Sequence, residues 1–372
     1  MTEHPSQAER IAIVLPPREG FGPGRTGAVG MVAHRLAAAT RAFRVEVIGG
    51  RQAGPLFADV PFRPLRGALV PAGPNLRYAA AVARYLERDP PALVEVHNRP
   101  EIARALGRRF RTVLFLHNDP QGMRGLGAPA ARAALLRGQV VVVSDYLRGR
   151  LLEGVDAPGR PPLVLPNALD LASLPEPCAP GERAEEILFV GRVVADKGAD
   201  AFVAACAAAL PRLPGWRGIM LGGDRFGPNS PQTPFIRDLR PRAIRAGVTM
   251  SGYQPHDAIM AAMRRAAIVV VPSRWQEPFG LTALEAMASG AALICAARGG
   301  LPEVAGDAAL YVDPDRAETI ADAILALALD PARRAALAAA GRARALRFDL
   351  PPIAARLDGL RAALIGSRVA GR

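Results

Sequence analysis

The amino-acid sequence predicts an α/β protein built from two doubly wound, Rossmann-like domains that face a central cleft. Short apolar segments of strand length alternate with helical patterns through the first half of the chain. The alternation stops at a segment rich in proline and charge near residues 172–185, and then it starts again. The length of 372 residues suits two domains better than one. Alternating strands and helices are typical of a parallel sheet covered by helices on both faces.

The first half is expected to form five strands, each a short apolar run bounded by polar residues, glycine or proline. A helix over residues 27–40 separates the first two strands, and further helical segments separate the others. The strands are predicted at residues 11–15, 44–48, 93–96, 112–116 and 140–144.

After the proline-rich linker the same alternation predicts a second doubly wound unit. Its strands are expected at residues 187–190, 218–222, 248–251, 268–272 and 292–295. Its helices are expected at residues 199–210, 257–266 and 281–289. Ligands of such folds bind beyond the carboxyl ends of the strands, so we expect the site in the cleft.

The end of the chain is predicted to be one helix over residues 351–365. Apolar residues at positions 353, 357, 360 and 364 form a single helical stripe, and two prolines suit its start. We expect this helix to pack back on the first domain. The expected division is therefore a first domain over 1–172, a second over 173–345 and the terminal segment over 346–372.

Composition excludes several classes of protein. No run reaches the roughly 18 apolar residues that a membrane-spanning helix needs. The first ten residues are polar with two acids, unlike a signal peptide. Cys178, Cys206 and Cys295 are far apart and odd in number, which predicts a reduced cytoplasmic protein without a disulfide framework. No His, Cys or carboxylate cluster has metal-ligand spacing, so no bound metal is expected.

The charge of the chain is positive and uneven. The net charge is +13, with +9 in residues 1–170 and +4 in the remainder. A basic first half favours an anionic partner such as a phosphorylated lipid or a membrane surface. An arginine-rich genome is the alternative explanation. The basic residues do not interleave with aromatic ones as in single-strand binders, so no nucleic-acid partner is expected.

Lysine occurs once in the sequence. Of the 47 basic residues 46 are arginine, and the exception is Lys197. It follows the strand predicted at 187–190, in a loop that also contains Arg192. Lysine is a compact, flexible point charge, whereas arginine is a planar fork. Either the position has a specific need for this ammonium group, or the single lysine occurs there by chance.

The segment over residues 272–290 predicts an anion site. A helix is expected to begin near Leu281, directly after Phe279 and Gly280, and its first amides lack internal acceptors. Glu277 lies in the preceding loop and Glu285 on the second helical turn. Carboxylates accept hydrogen bonds from sugar and ribose hydroxyls, and nearby cations would neutralise a leaving diphosphate.

The first half offers weaker candidates. The glycine loop over residues 22–27 matches G-x-G-x-x-G, but it begins seven residues after the strand, which argues against a dinucleotide site. His117 follows the strand at 112–116 and should face the cleft. Asp119 is either an acceptor-side carboxylate or a turn former. Arg99 or Glu101, after an earlier strand, is a further acceptor-side candidate.

These residues resemble a known family. Glu277-Pro-Phe-Gly followed by Glu285 is similar to the two-glutamate signature of the retaining GT-B glycosyltransferases of family 4 (group 1). The loop from Gly191 to Gly198 resembles that family's Arg and Lys clamp. The resemblance covers nearly the whole chain and is strongest over 163–315. Further matches in register are Pro166 to Asp170, Ser251-Gly252-Tyr253, Pro272-Ser273 and Gly299 to Glu303.

The resemblance implies a role for each matching residue. Arg192 and Lys197 would bind the donor diphosphate, together with the helix start at Phe279, Gly280 and Leu281. Glu285 would bind ribose, while Glu277 and His117 would contact the transferred sugar. Gly27 would approach the donor phosphates. The alternative for the charged residues is a solvated surface charge or a helix-start carboxylate.

The activity implied is transfer of a hexose from a UDP- or GDP-sugar to an acceptor hydroxyl with retained configuration. No other cofactor is expected. The acceptor would be a saccharide or glycolipid of lipopolysaccharide or envelope polysaccharide synthesis, reached in the cytoplasm at the inner membrane surface. The rival hypotheses are a nucleotide-sugar epimerase or phosphorylase on the same fold, and a non-catalytic nucleotide-sugar-binding subunit.

Overall fold

The computed structural model describes residues 8–24, 26–225 and 230–366. The first seven residues of the polar N-terminal segment, and Arg25 of the glycine loop, lie outside these ranges. The chain forms two compact units, one of Met1–Ala168 with Leu350–Arg372 and one of Leu169–Asp349. Both divisions lie four residues from those expected. The Leu169 amide donates to the Phe348 carbonyl at 2.9 Å, which ties the two ends of the second unit together.

The first unit contains a seven-stranded, wholly parallel sheet in the order β3-β2-β1-β4-β5-β6-β7. Helices alternate with the strands, as the sequence predicts, except between β2 and β3, which follow each other directly. The elements are β1 (Arg10–Val14), α1 (Ala28–Ala39), β2 (Arg44–Gly50), β3 (Phe62–Leu65), α2 (Pro74–Leu86), β4 (Leu93–His97), α3 (Pro100–Leu106), β5 (Thr112–Leu116), α4 (Pro129–Leu135), β6 (Gln139–Val142), α5 (Asp145–Leu152) and β7 (Leu163–Val164).

The second unit contains a six-stranded parallel sheet in the order β10-β9-β8-β11-β12-β13. Its central strand β11 is buried throughout, as expected for a sheet covered on both faces. The elements are β8 (Ala184–Val190), α6 (Ala199–Ala209), β9 (Arg217–Leu221), α7 (Pro234–Arg245), β10 (Val248–Met250), α8 (His256–Arg265), β11 (Ala266–Val271), α9 (Leu281–Ala288), β12 (Ala292–Ala296), α10 (Leu301–Ala305), β13 (Ala309–Val312), α11 (Ala317–Ala328) and α12 (Pro331–Ala345).

The terminal helix α13 (Leu350–Gly366) belongs to the first unit, where it packs on α1 and β4. Arg361 is fully buried and forms an ion pair with the buried Glu95 of β4, with Nε 2.7 Å from Oε1 and Nη2 2.9 Å from Oε2. A buried charge is tolerated only when it is paired, so the helix is fixed by this contact as well as by its apolar stripe.

The predicted pair of doubly wound α/β domains is confirmed, and three strands were missed. β3, β7 and β13 all lie at sheet edges and are two to four residues long. β3 contains Pro64, which an edge strand tolerates because its amide has no required partner. β3 is interrupted by Arg63 and Pro64, β7 has only two residues, and β13 is apolar but only four residues long.

The strand order reverses direction next to the first strand of each unit. β8 lies between β9 and β11, so the loops that leave β8 and β11 diverge from the same edge of the sheet. β1 and β4 have the same relation in the first unit. Such a switch point leaves a crevice at the carboxyl ends of the strands. Across the described ranges, no helix has the length and apolar character that crossing a bilayer requires.

Candidate active site

A small cavity lies at the switch point of the second unit. It encloses about 60 Å³ and is lined by the ends of β8 and β11, by Lys197, Ser273 and Glu277, and by Gly280 to Thr282 at the start of α9. The lining combines an ammonium group, a carboxylate and the amino-terminal end of a helix. Such a combination can hold a phosphate group because the ammonium and the helix amides all favour negative charge.

Two loops that build this cavity are tied together through their backbones. The Asp196 carbonyl accepts hydrogen bonds from the amides of Arg274 and Trp275, both at 2.9 Å. Gly198 has φ +71°, and a Cβ there would come within 1.9 Å of the Pro272 carbonyl oxygen. Only glycine permits this close approach. The loop after β8 therefore holds Lys197 beside the loop after β11.

Lys197 is paired with Glu277 across the two loops. Lys197 Nζ lies 2.5 Å from Glu277 Oε1, and the Ser273 hydroxyl donates to the same oxygen at 2.7 Å. The side chains are 23% and 14% exposed, so the pair remains open to the cavity. A flexible ammonium can keep this carboxylate while it also contacts a bound anion, because it carries three donors.

The start of α9 is shaped by a glycine. Gly280 caps the helix with φ +110°, and a Cβ there would come within 2.6 Å of the Leu301 side chain. Phe279 before it is buried against Phe348. Ala283 and Leu284 donate the first hydrogen bonds of the helix to the Gly280 carbonyl, so the amides of Leu281 and Thr282 precede the helical ladder. These amides lie at the cavity.

The two other charged candidates of the second unit, Arg192 and Glu285, are not among the residues that line this cavity. Arg192 is partly buried, and its guanidinium has no ion-pair partner within the described parts of the chain. Glu285 is buried on α9, and its Oε1 lies 2.9 Å from His256 Nε2 on α8. Sequence reasoning missed His256, since a lone histidine at a helix start carries no recognisable signal.

His117 follows β5 in the first unit and contacts a second histidine that ends β4. His97 Nδ1 lies 2.9 Å from His117 Nε2, and both rings are buried. Burial, aided by the Arg361 charge, lowers the pKa of His97 to about 3. Burial also lowers the pKa of His117 well below its usual value, with His97 as a further cause. Both imidazoles are neutral near pH 7 as a result.

Gly27 caps α1, where the sequence predicts an approach to the donor phosphates. The structure places an acidic side chain at this helix start, because the Gly30 amide donates to Glu19 Oε1 at 3.1 Å. Burial raises the pKa of Glu19, although the backbone of Gly30 and Gly27 lowers it in part. The role of Gly27 stays a prediction, and Glu19 was not foreseen.

The acceptor-side candidates of the first unit also have internal partners. Asp119 accepts from the Gln121 amide at 2.9 Å, as expected of a turn former, and pairs with Arg150 Nε at 2.9 Å. Glu101 accepts from Asn75 at 3.1 Å. Burial lowers the pKa of Arg99. Among the described residues, no group of three or more His, Cys, Asp or Glu has the arrangement of a metal site.

Comparison with protein families accounts for both halves of the chain. The model described as Glycosyl transferases group 1 matches residues 175–344, and that described as Glycosyltransferase Family 4 matches residues 28–173. The chain belongs to these glycosyltransferases. The first match contains Arg192, Lys197, Glu277 and Glu285.

Several curated relatives of this chain have the name D-inositol 3-phosphate glycosyltransferase. That of Corynebacterium aurimucosum is 34% identical over 47% of this chain and 42% of its own length. That of Segniliparus rotundus is 32% identical over 63% of this chain and 56% of its own length. The chain thus spans about half the length of these relatives.

Solved structures share the fold of the glycosyltransferase. Sucrose-phosphate synthase from Thermosynechococcus elongatus has a TM-score of 0.79 at 22% identity, covering 97% of this chain and all of its own. Anabaena HepE in complex with UDP-glucose has a TM-score of 0.74 at 18% identity, covering 95% of this chain and all of its own. The TM-scores establish the shared fold. Identities this low leave the substrates to be argued from the site.

Proposed function

We propose that this glycosyltransferase moves a hexose from a UDP- or GDP-sugar to an acceptor hydroxyl with retained configuration. One observation supports it above the others. The Lys197 ammonium and the amino-terminal end of α9 line one cavity at the switch point of the second unit. A diphosphate placed there would meet a cation and free amides at once.

The chemistry needs stabilisation of a leaving group. When the glycosidic bond breaks, its electron pair passes to the diphosphate, and negative charge grows on the phosphate oxygen. Lys197, Arg192 and the amides of Leu281 and Thr282 would stabilise that charge more than they stabilise the ground state. The acceptor hydroxyl would attack the anomeric carbon from the face that the diphosphate leaves, which retains the configuration of the sugar. The proton of this hydroxyl would pass to the departing phosphate oxygen.

The two glutamates would hold the hydroxyl groups of the donor. Glu277, fixed by Lys197 and Ser273, would accept from the transferred sugar beside the diphosphate. Glu285, oriented by His256, would accept from the ribose hydroxyls. Carboxylates suit vicinal hydroxyls because two oxygens can accept at the same time. By the same family resemblance, His117 would contact the sugar and Gly27 the donor phosphates.

The donor class is supported by the comparisons, since solved proteins of the same fold have been observed with UDP and with UDP-glucose. The acceptor class is supported by charge. The first 170 residues have a net charge of +9, which favours a phosphorylated acceptor. The printed names of the relatives suggest a phosphorylated polyol such as D-inositol 3-phosphate. A lipid-linked saccharide of envelope synthesis, met in the cytoplasm at the inner membrane surface, offers the same phosphate chemistry.

Thermal unfolding in the presence of UDP-, GDP- and ADP-sugars tests the donor. A ligand that binds the folded state at 100 times its Kd stabilises it by about 2.7 kcal/mol. We expect a clear rise in Tm with a UDP- or GDP-sugar. No rise with any nucleotide sugar would contradict the proposal.

Product analysis then separates the acceptors and the rival activities. The enzyme is supplied with the stabilising donor and with D-inositol 3-phosphate, with lipid-linked phosphosaccharide in vesicles, or without acceptor. A glycosylated product in an acceptor arm is expected. Conversion of the donor to another nucleotide sugar without acceptor would identify an epimerase instead. Binding with no turnover in any arm would favour a non-catalytic subunit.

A further inference from the structure

His97, the last residue of β4, and Asn98 directly after it hold His117, which follows the neighbouring strand β5. His97 Nδ1 contacts His117 Nε2 at 2.9 Å, and the Asn98 side-chain oxygen accepts from the His117 amide at 2.8 Å. Asn98 itself has φ +52°, a left-handed conformation that few residues other than glycine adopt. The backbone and the ring of His117 are therefore both fixed by the same short segment.

The contact between the rings restricts their protons. Both imidazoles are buried and have lowered pKa values, so each carries one proton near neutral pH. A hydrogen bond between two neutral rings requires one N–H and one lone pair. Either His97 Nδ1–H donates to His117 Nε2, or His117 Nε2–H donates to His97 Nδ1. In the first alternative His117 Nδ1 carries a proton and is a donor, and in the second it is bare and is an acceptor.

The second ring nitrogen of His97, Nε2, decides between the two arrangements. His97 Nε2 is buried and has no hydrogen-bond partner in the described ranges. If His117 Nε2–H is the donor, His97 Nε2 must carry a proton, and this buried N–H would have no acceptor among the described residues. Orphaned buried N–H groups are rarer than unsatisfied acceptors.

We propose that His97 is a positioning residue that sets the tautomer of His117, so that His117 offers an Nδ1–H donor to the bound sugar. The substrate contact rests on the function proposed above, whereas the tautomer does not. With the proton of His117 fixed on Nδ1, this ring donates to a sugar oxygen, whose own hydroxyl proton is then free to bond elsewhere.

Nitrogen NMR of the unliganded, ¹⁵N-histidine-labelled protein tests the tautomer directly. The sequence has five histidines, and a His117→Asn spectrum assigns the relevant signals. We expect His117 to be protonated on Nδ1 and bare on Nε2. In His97→Leu, His117 should become a mixture of both tautomers. Protonation of wild-type His117 on Nε2, or an unchanged His117 spectrum in His97→Leu, would overturn the proposal.

Binding assays with UDP-glucose and UDP test the consequence. His97→Leu should weaken the binding of UDP-glucose by about tenfold, as expected when one hydrogen bond is misdirected. The affinity for UDP should stay unchanged. His97→Asn keeps an N–H near the position of Nδ1 and should restore most of the affinity. Phe115→Leu removes the ring stacked 5.0 Å from His97 and keeps the hydrogen bond, so it controls for packing. An equal loss in Phe115→Leu would contradict the positioning role.

The two hypotheses fail in different ways. If the wild-type protein binds no UDP- or GDP-sugar, the proposed function is wrong and the unliganded spectrum still decides the tautomer. If both ligands bind normally but the spectrum shows Nε2–H on His117, only the positioning role of His97 is wrong.

Discussion

Replacement of Lys197 by methionine separates the structural from the catalytic role of the ammonium. Methionine preserves most of the side-chain length and removes the charge. Glu277, 14% exposed and normally 2.5 Å from Lys197 Nζ, would lose the ammonium and keep the hydrogen bond from the Ser273 hydroxyl. A charged group that loses its partner in such a position costs about 2 kcal/mol. For a unit of this size the expected fall in Tm is about 4–8 °C.

The activity should fall much further than the stability. If the ammonium stabilises the leaving diphosphate, its loss should lower kcat/KM by roughly 10²–10³-fold, the effect of removing one group that stabilises transition-state charge. The double variant Lys197→Met/Glu277→Gln removes the stranded charge, because a neutral amide replaces it. It should regain most of the lost Tm and none of the lost activity.

Calorimetry and a donor-consumption assay on the three proteins measure both effects. Arg274 lies on the same loop as Glu277 and forms ion pairs with Asp200 and Asp315, so Arg274→Ala controls for disturbance of that loop. A Lys197→Met enzyme with wild-type kcat/KM would refute the assignment. Recovery of activity together with Tm in the double variant would also refute it, since Lys197 would then act only by neutralising Glu277.

Three further changes test other parts of the structure. Gly280→Ala forces a Cβ into a left-handed position against packed atoms and should lower Tm and weaken UDP binding, measured by scanning fluorimetry and calorimetry. Arg361→Met should cost about 3–5 kcal/mol in urea unfolding, whereas exposed Arg356→Ala should change it by under about 0.5 kcal/mol. His97 and His117 have folded-state pKa values below 6.5, so the unfolded chain binds more protons than the folded chain. Their contribution to the free energy of unfolding should therefore fall as the pH drops from about 6.5 toward 3. If the free energy of unfolding of the His97→Asn/His117→Asn protein depends on pH as strongly as that of the wild type, this expectation is contradicted.

Sequence periodicity was sufficient for the central strands and the overall class. β11 and residues 11–14 of β1 are buried, and their sequences are continuous apolar runs. The edge strand β3 contains Arg63 and Pro64 and has no such pattern. The order of strands was not predicted either, because pairing depends on contacts far apart in the sequence.

Some residues of the candidate site could also be predicted from the sequence, and others could not. Glu277, Gly280 and Lys197 were recognisable because they occur in a local motif at a strand end, and the structure places them around one cavity. Their roles remain predictions. His256 was not recognisable, since its contact with Glu285 joins two helices. Glu19, which lies at the start of α1, was also missed, because the loop that contains it has no recognisable motif.

A crystal structure of the protein with UDP bound tests the central claim most directly. The account predicts the β-phosphate within hydrogen-bond distance, roughly 2.7–3.2 Å, of Lys197 Nζ and of an amide at Leu281 or Thr282. A diphosphate bound elsewhere in the protein, with the Lys197–Glu277 cavity left unchanged, would contradict it.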